Sequence, residues 1–162
     1  MPEQFAFHEE CTGFIGAKPE DVFAMLDDHA RLAKHMARPS WRMGWATMQI
    51  AVDPGKPRGL GSHIAIRGRV LGFRLFVDEE VTQYDPPSMK AWETTVEPRL
   101  LVIGQYRMAL STTPQNHGTL LRVAIDYDWP KPALSRIAGA IFGRMYARWC
   151  VRQMVEDASA GT

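Results

Sequence analysis

Five carboxylates, Glu79, Glu80, Glu93, Asp126 and Asp128, fall on segments that read as strands, and they are the side chains with which this chain could move protons. A carboxyl held among apolar neighbours resists ionising. Its pKa then climbs toward neutrality, where the group both accepts and gives a proton. Asp126 and Asp128 share a strand face with Arg122, opposite Leu121, Val123 and Ile125, which reads as a solvated cross-strand charge network. Glu93 alternates against Trp92 and Thr94. If the protein is an enzyme, Glu93 or Tyr106 is a side chain that could carry the proton. No pair of these residues forms a catalytic motif, so the catalytic residues stay unassigned.

The other reactive side chains lack the company that metal or phosphate chemistry needs. The histidines, His8, His29, His35, His63 and His117, make no HxxxH or HExxH pair, and Cys11 and Cys150 have no ligand partner at local spacing. No metal site is expected. Gly55, Gly59 and Gly61 sit in a glycine-rich connection, but no Lys-Ser/Thr pair ends it and a strand follows instead of a helix. The segment reads as a hairpin loop, not a phosphate cradle, and no cofactor is expected.

Composition narrows the function classes. At 162 residues, with 46% hydrophobic and 23% charged side chains, the chain reads as a single globular domain over 1–162. Nineteen basic against eighteen acidic residues leave a net charge of +1, which gives no case for nucleic acid. No apolar run reaches the roughly 18 residues of a membrane span, and Met1-Pro2-Glu3-Gln4 lacks the features of a signal peptide. Two distant cysteines read as reduced thiols, and the protein as cytoplasmic.

The elements that must position any site follow from hydrophobic periodicity. Phe5 to Ile15 alternates as a strand. Ala17-Lys18-Pro19-Glu20-Asp21 opens a helix that buries Val22, Phe23, Met25 and Leu26, with proline near its start and acids at its positive end. A second short helix is expected from Asp27-Asp28, holding Ala30, Leu32, Ala33 and Met36 and ending at Arg38-Pro39. Strands are then expected over 45–52, 62–70, 73–84, 90–96, 100–112 and 120–129, joined by turns. Trp129-Pro130-Lys131-Pro132 opens a long helix to about Asp157. Its apolar stripe is Leu134, Ile137, Ala138, Ile141, Phe142, Met145 and Trp149. Short connections make the sheet antiparallel, and the class α+β.

This order and its local wording resemble the START-like (SRPBCC) superfamily, particularly its bacterial polyketide cyclase/dehydrase-like members. The matching phrases are Ile15 to Phe23 leading into Leu26-Asp27-Asp28, then Gly59-Leu60-Gly61-Ser62, Glu79 to Pro87, and Gly118-Thr119-Leu120-Leu121. The resemblance implies a helix-grip fold: a curved antiparallel sheet wrapped around the long C-terminal helix, with two short helices after the first strand. It also implies a deep apolar pocket, used by relatives for lipids, sterols, hormones or polyketides. The superfamily holds both carriers and enzymes.

The expected function is binding of a small hydrophobic ligand, whether lipid, aromatic or polyketide-like, in that cavity. The alternative is a cyclase/dehydrase-type enzyme acting there. Strand parity and helix phase point Trp92, Tyr106, Met108, Tyr127, Ile141 and Met145 at one volume as its wall. Tyr106, Tyr127, Trp92 and Thr94 supply polar handles, and nine methionines make adaptable walls. On the helix side away from the stripe, Gly139, Gly143 and Ala147 form a small-residue strip. It either packs on another element of the chain or makes a homodimer.

Overall fold

The computed structural model describes residues 5–28, 47–52, 58–70 and 72–161. The elements run β1 (Phe7–Ile15), α1 (Pro19–Asp27), β2 (Thr47–Val52), β3 (His63–Val70), β4 (Phe73–Asp85), β5 (Met89–Thr94), β6 (Tyr106–Gln115) and β7 (Gly118–Tyr127). The C-terminal helix follows as α2 (Ala133–Ala138), a π-helical turn (Gly139–Gly143) and α3 (Arg144–Ala160). The second short helix expected after α1 lies outside the described residues.

All seven strands join one antiparallel sheet in the order β1-β7-β6-β5-β4-β3-β2. Turn-linked strands β2 to β7 build it sequentially, and β1 closes the far edge against β7. Period-2 patterning decides which side is covered. On β1 the outward His8, Glu10 and Thr12 alternate with Glu9, Cys11 and Gly13, and on β7 Leu121, Val123, Ile125 and Tyr127 are all buried. The C-terminal helix crosses the covered face over β1 and β7, which is the helix-grip α+β arrangement. Strand β6 begins at Tyr106, later than expected. Residues 100–105 are drawn out of the ladder to meet the helix and the β7 end, where the Gly104 N–H donates to the Asp128 carbonyl at 2.8 Å.

The helix is rotated relative to the expectation. Its apolar stripe faces solvent at Leu134, Ile137, Ile141, Phe142 and Met145, while Trp149 is exposed on one side only. The buried row is Gly139, Gly143, Ala147, Val151 and Val155, with Ala158 beyond it. These residues step by four, and in a regular helix such a row drifts about 40° per step. The wider π-helical turn takes up part of that drift and keeps both glycines facing inward. Closeness of approach, not side-chain bulk, sets the buried face. A Cβ at Gly143 would lie 2.9 Å from the Val102 carbonyl oxygen, and one at Gly13 would run into Val155 Cγ1.

The small-residue strip is therefore covered within the chain, and the motive for a homodimer through it disappears. Gly143→Leu is expected to destabilise the fold by about 1–3 kcal/mol through overpacking against Val102. Urea denaturation measures this, and a variant as stable as the parent would show the helix seated elsewhere.

Beside that strip, Arg144 and Arg148 reach the carboxylate of Glu9 on β1, with bonds of 2.6 and 2.7 Å. Partial burial pushes Glu9 up, but the two guanidiniums outweigh it and hold the carboxyl below its ordinary value.

Candidate ligand-binding site

The helix covers β1 and β7, and between its other flank and the concave side of β3 to β6 lies a cavity of about 160 Å³. Strand parity builds its floor. Ile64 and Ile66 of β3, Val77 and Glu79 of β4, Trp92 of β5, Tyr106 and Met108 of β6 and Ile125 of β7 all face it. Leu100 and Ile103, from the segment pulled out of β6, close one end. From α3, Tyr146, Trp149, Cys150, Gln153, Met154 and Asp157 form the opposite wall.

The wall is mostly apolar, with two carboxyl groups, Glu79 on the sheet side and Asp157 on the helix side. The Glu79 side chain is buried, with the Tyr106 hydroxyl donating to Oε1. Burial raises its carboxyl from 4.5 to about 7, against the opposing pull of the Tyr106 and Trp92 hydrogen bonds and the positive charge of Lys90. Burial, then the adjacent Glu79 charge, pushes the Tyr106 phenol well above its ordinary range. Opposite them the Tyr146 ring keeps an exposed edge while its hydroxyl lies inside beside Cys150; that thiol and burial raise Tyr146. Burial pushes Cys150 up to about 12, which keeps it a neutral thiol and a poor nucleophile.

A second buried polar group lies along β5. Lys90 is wholly buried, and its Nζ donates to Asp27 Oδ1 at 2.5 Å; the Tyr84 hydroxyl donates to Oδ2 at 2.9 Å. The ammonium also lies 5.8 Å from the Tyr84 ring centre and 5.9 Å from that of Trp92. Burial lowers the Lys90 pKa, and Asp27 opposes the shift. This group fastens the end of α1 to the sheet and holds a positive charge beside the cavity floor, on the same β5 face as Trp92.

Of the residues expected in the wall, Trp92, Tyr106 and Met108 do line the cavity. Tyr127 is buried outside it, 5.4 Å from the Phe7 ring and beneath Gly143. Ile141 and Met145 are 65% and 64% exposed, because the helix turns its small residues inward and these outward. Glu93 is half-buried on the other strand face, paired in register with Glu80 and Arg107, and does not line this cavity. The Thr94 hydroxyl is taken up by the Tyr106 N–H at 3.2 Å. Asp126 meets His8 at 2.6 Å, and Asp128 accepts from the Ala6 N–H, both in the outward network. Glu79 stood on a readable signal: Leu75, Val77 and Val81 share its β4 face, so one acid interrupts an apolar row. No such signal marks Cys150 or Tyr146, whose place depends on the helix rotation.

The sequence matches the family described as polyketide cyclase / dehydrase and lipid transport over residues 11–158. No curated protein matches it in sequence. Among solved structures it is similar to a protein from Thermus thermophilus, with a TM-score of 0.65 and 13% identity, covering 96% of this chain and 99% of that one. Ginseng major latex-like protein 151 from Panax ginseng gives 0.56 and 17%, over 96% of each chain. A Thalictrum norcoclaurine synthase point mutant, in complex with a transition-state analogue, gives 0.58 and 14%, over 93% and 94%. At these identities the likeness is one of fold.

Proposed function

From the premise that this chain belongs to the polyketide cyclase/dehydrase and lipid transport family, we propose that it binds a small hydrophobic molecule between the sheet and the C-terminal helix, as one ligand-binding unit over 1–162. The observation that carries this reading is an apolar cavity whose sheet side carries the polar groups of Glu79 and Tyr106. Its 160 Å³, as bounded by the described residues, is close to the ~150 Å³ of an apolar cavity that admits benzene. A fused-ring or short-chain compound with one polar atom fits this chemistry better than a whole lipid, which calls for a pocket of at least about 300 Å³. Burial of its apolar surface, about 25 cal/mol per Å², is the driving term, and the polar atom fixes its orientation at Glu79.

Native mass spectrometry of the purified protein tests for a retained ligand, and titration with 2-naphthol tests uptake directly. Met108→Trp, which fills the cavity, is expected to weaken naphthol binding at least tenfold with little change in melting temperature. Met145→Trp, on the solvent side, should leave binding unchanged. If Met108→Trp instead costs about 1–3 kcal/mol of stability and naphthol never binds, the site is solid core.

The second reading, a cyclase/dehydrase-type enzyme, is favoured by the Glu79–Tyr106 pair. A carboxyl that titrates near pH 7 can take a proton from carbon beside a ketone and return it, and a phenol can donate to the oxygen. Deuterium exchange at the α-carbon of an aryl ketone, followed by NMR, reads this step. Exchange equal in the parent and Glu79→Gln would leave only the binding role.

A further inference from the structure

We propose that the projecting β3–β4 hairpin docks on an anionic membrane surface, its arginines against lipid phosphates and Phe73 in the bilayer interface. On its β5 side the hairpin extends well beyond its neighbour, while β2 runs beside β3 as far as Thr47 opposite Arg69. The last β4–β5 pair is Glu79 with Thr94, but the β3–β4 ladder runs on to Val70 with Phe73, about 20 Å further at about 3.3 Å per residue. Arg99 folds back along this arm and bridges to Phe76.

Arg67, Arg69, Arg74 and Arg99 thereby surround one open groove of about 580 Å³. Among the described residues none of the four is paired with a carboxylate. Nearby acids are engaged elsewhere: Asp78 with Thr95 and His63, Glu97 with Lys131. At the other sheet edge Arg122 meets Glu10, and Arg144 and Arg148 of α3 meet Glu9. The whole-chain charge of +1 hides this local excess. Guanidinium groups bind phosphate oxygens in a fork, and several close together are held by an anionic surface until salt screens them.

The apolar groups at this end choose the partner. Phe73, at the hairpin turn, is 60% exposed, and Val96 in the next loop is exposed too. The outward stripe of the C-terminal helix starts at the same end, because Val102, three residues after Arg99, lies under Gly139 and Gly143. A base of a single-stranded nucleic acid stacks on an exposed aromatic ring such as Phe73, but neither it nor a phosphorylated peptide uses the aliphatic Val96 and the outward helix stripe. A bilayer takes both: phosphates at the surface and an apolar layer below. The proposal stands whether or not the cavity holds a ligand.

The test is co-sedimentation with vesicles of phosphatidylcholine alone and of phosphatidylcholine mixed with phosphatidylglycerol. The protein should pellet with the mixed vesicles, stay in solution with the neutral ones, and be released by high salt. Arg69→Glu/Arg74→Glu is expected to lower partitioning at least about tenfold, and Phe73→Ser several-fold. Arg122→Glu, on the matched edge, should not change it. Unaltered melting temperatures confirm that the variants fold. Equal binding to both vesicle types, or no loss on double charge reversal, overturns the proposal. So does a protein that ignores the mixed vesicles and binds a single-stranded oligonucleotide.

Discussion

Replacing Lys90 with methionine is expected to cost about 3–5 kcal/mol of folding stability, the largest effect of any single substitution considered. The methionine stem keeps most of the buried volume, so the loss is electrostatic. Asp27 is 4% exposed, and without Lys90 it would retain the Tyr84 hydroxyl as a partner but lose its ion-pair partner. Removing one member of a buried ion pair leaves the other uncompensated in a poorly polarisable surrounding. Removing both need not. Asp27→Leu/Lys90→Met should therefore recover most of the loss, and the double-mutant cycle isolates the coupling. Urea denaturation of the four proteins measures it. A single variant within about 1 kcal/mol of the parent would mean that the pair does not hold α1 to the sheet.

Glu79→Gln is expected to gain stability relative to the parent as pH rises. In the fold the carboxyl titrates near pH 7, against an ordinary value of 4.5, so the native protein binds this proton more tightly than the unfolded chain does. The stability this confers is fully present below about pH 4.5 and is lost as pH rises through about 7. The window spans about 2.5 pH units, at about 1.4 kcal/mol each, so the loss is of the order of 3 kcal/mol. Glutamine lacks the titration. The stability difference between variant and parent should grow by about that amount from about pH 4.5 to about pH 8, in the variant's favour. His8 titrates in both proteins and cancels in the difference; its pKa is raised first by its bond to Asp126. A difference that stays constant across the window would place the carboxyl in contact with water.

Element order, the antiparallel sheet and the helix-grip class were legible because each strand alternates and each connection carries its own turn residues. Parity alone put Trp92, Tyr106 and Met108 on the concave face. The helix was misread for a physical reason. Hydrophobic periodicity assumes that the bulkiest face is buried, and here Gly139, Gly143 and Ala147 are buried because the sheet comes too close for anything larger. That single rotation accounts for Ile141, Met145 and the supposed dimer strip together. Glu79 was hidden differently. Its β4 row was readable, but an acid in an apolar row counts equally as an edge or a bend until its neighbours across the sheet are known. Lys90 and Asp27 lie sixty-three positions apart in the chain, and nothing local joins them.

The division of the sheet between an anchored half and a hollow half has a consequence for how such a protein can diversify. The C-terminal helix is seated on β1 and β7 through Gly13, Val155, Ala147 and the Glu9–arginine contacts. The cavity floor is drawn mainly from β3 to β6. Substitutions at Ile64, Val77 or Met108 reshape the hollow without touching the contacts that seat the lid. The cavity floor and the seat of the helix thus lie on different strands, while α3 carries both the anchor and the opposite wall on neighbouring faces. On the proposed binding role, the floor can be redesigned residue by residue while the anchoring seam stays fixed.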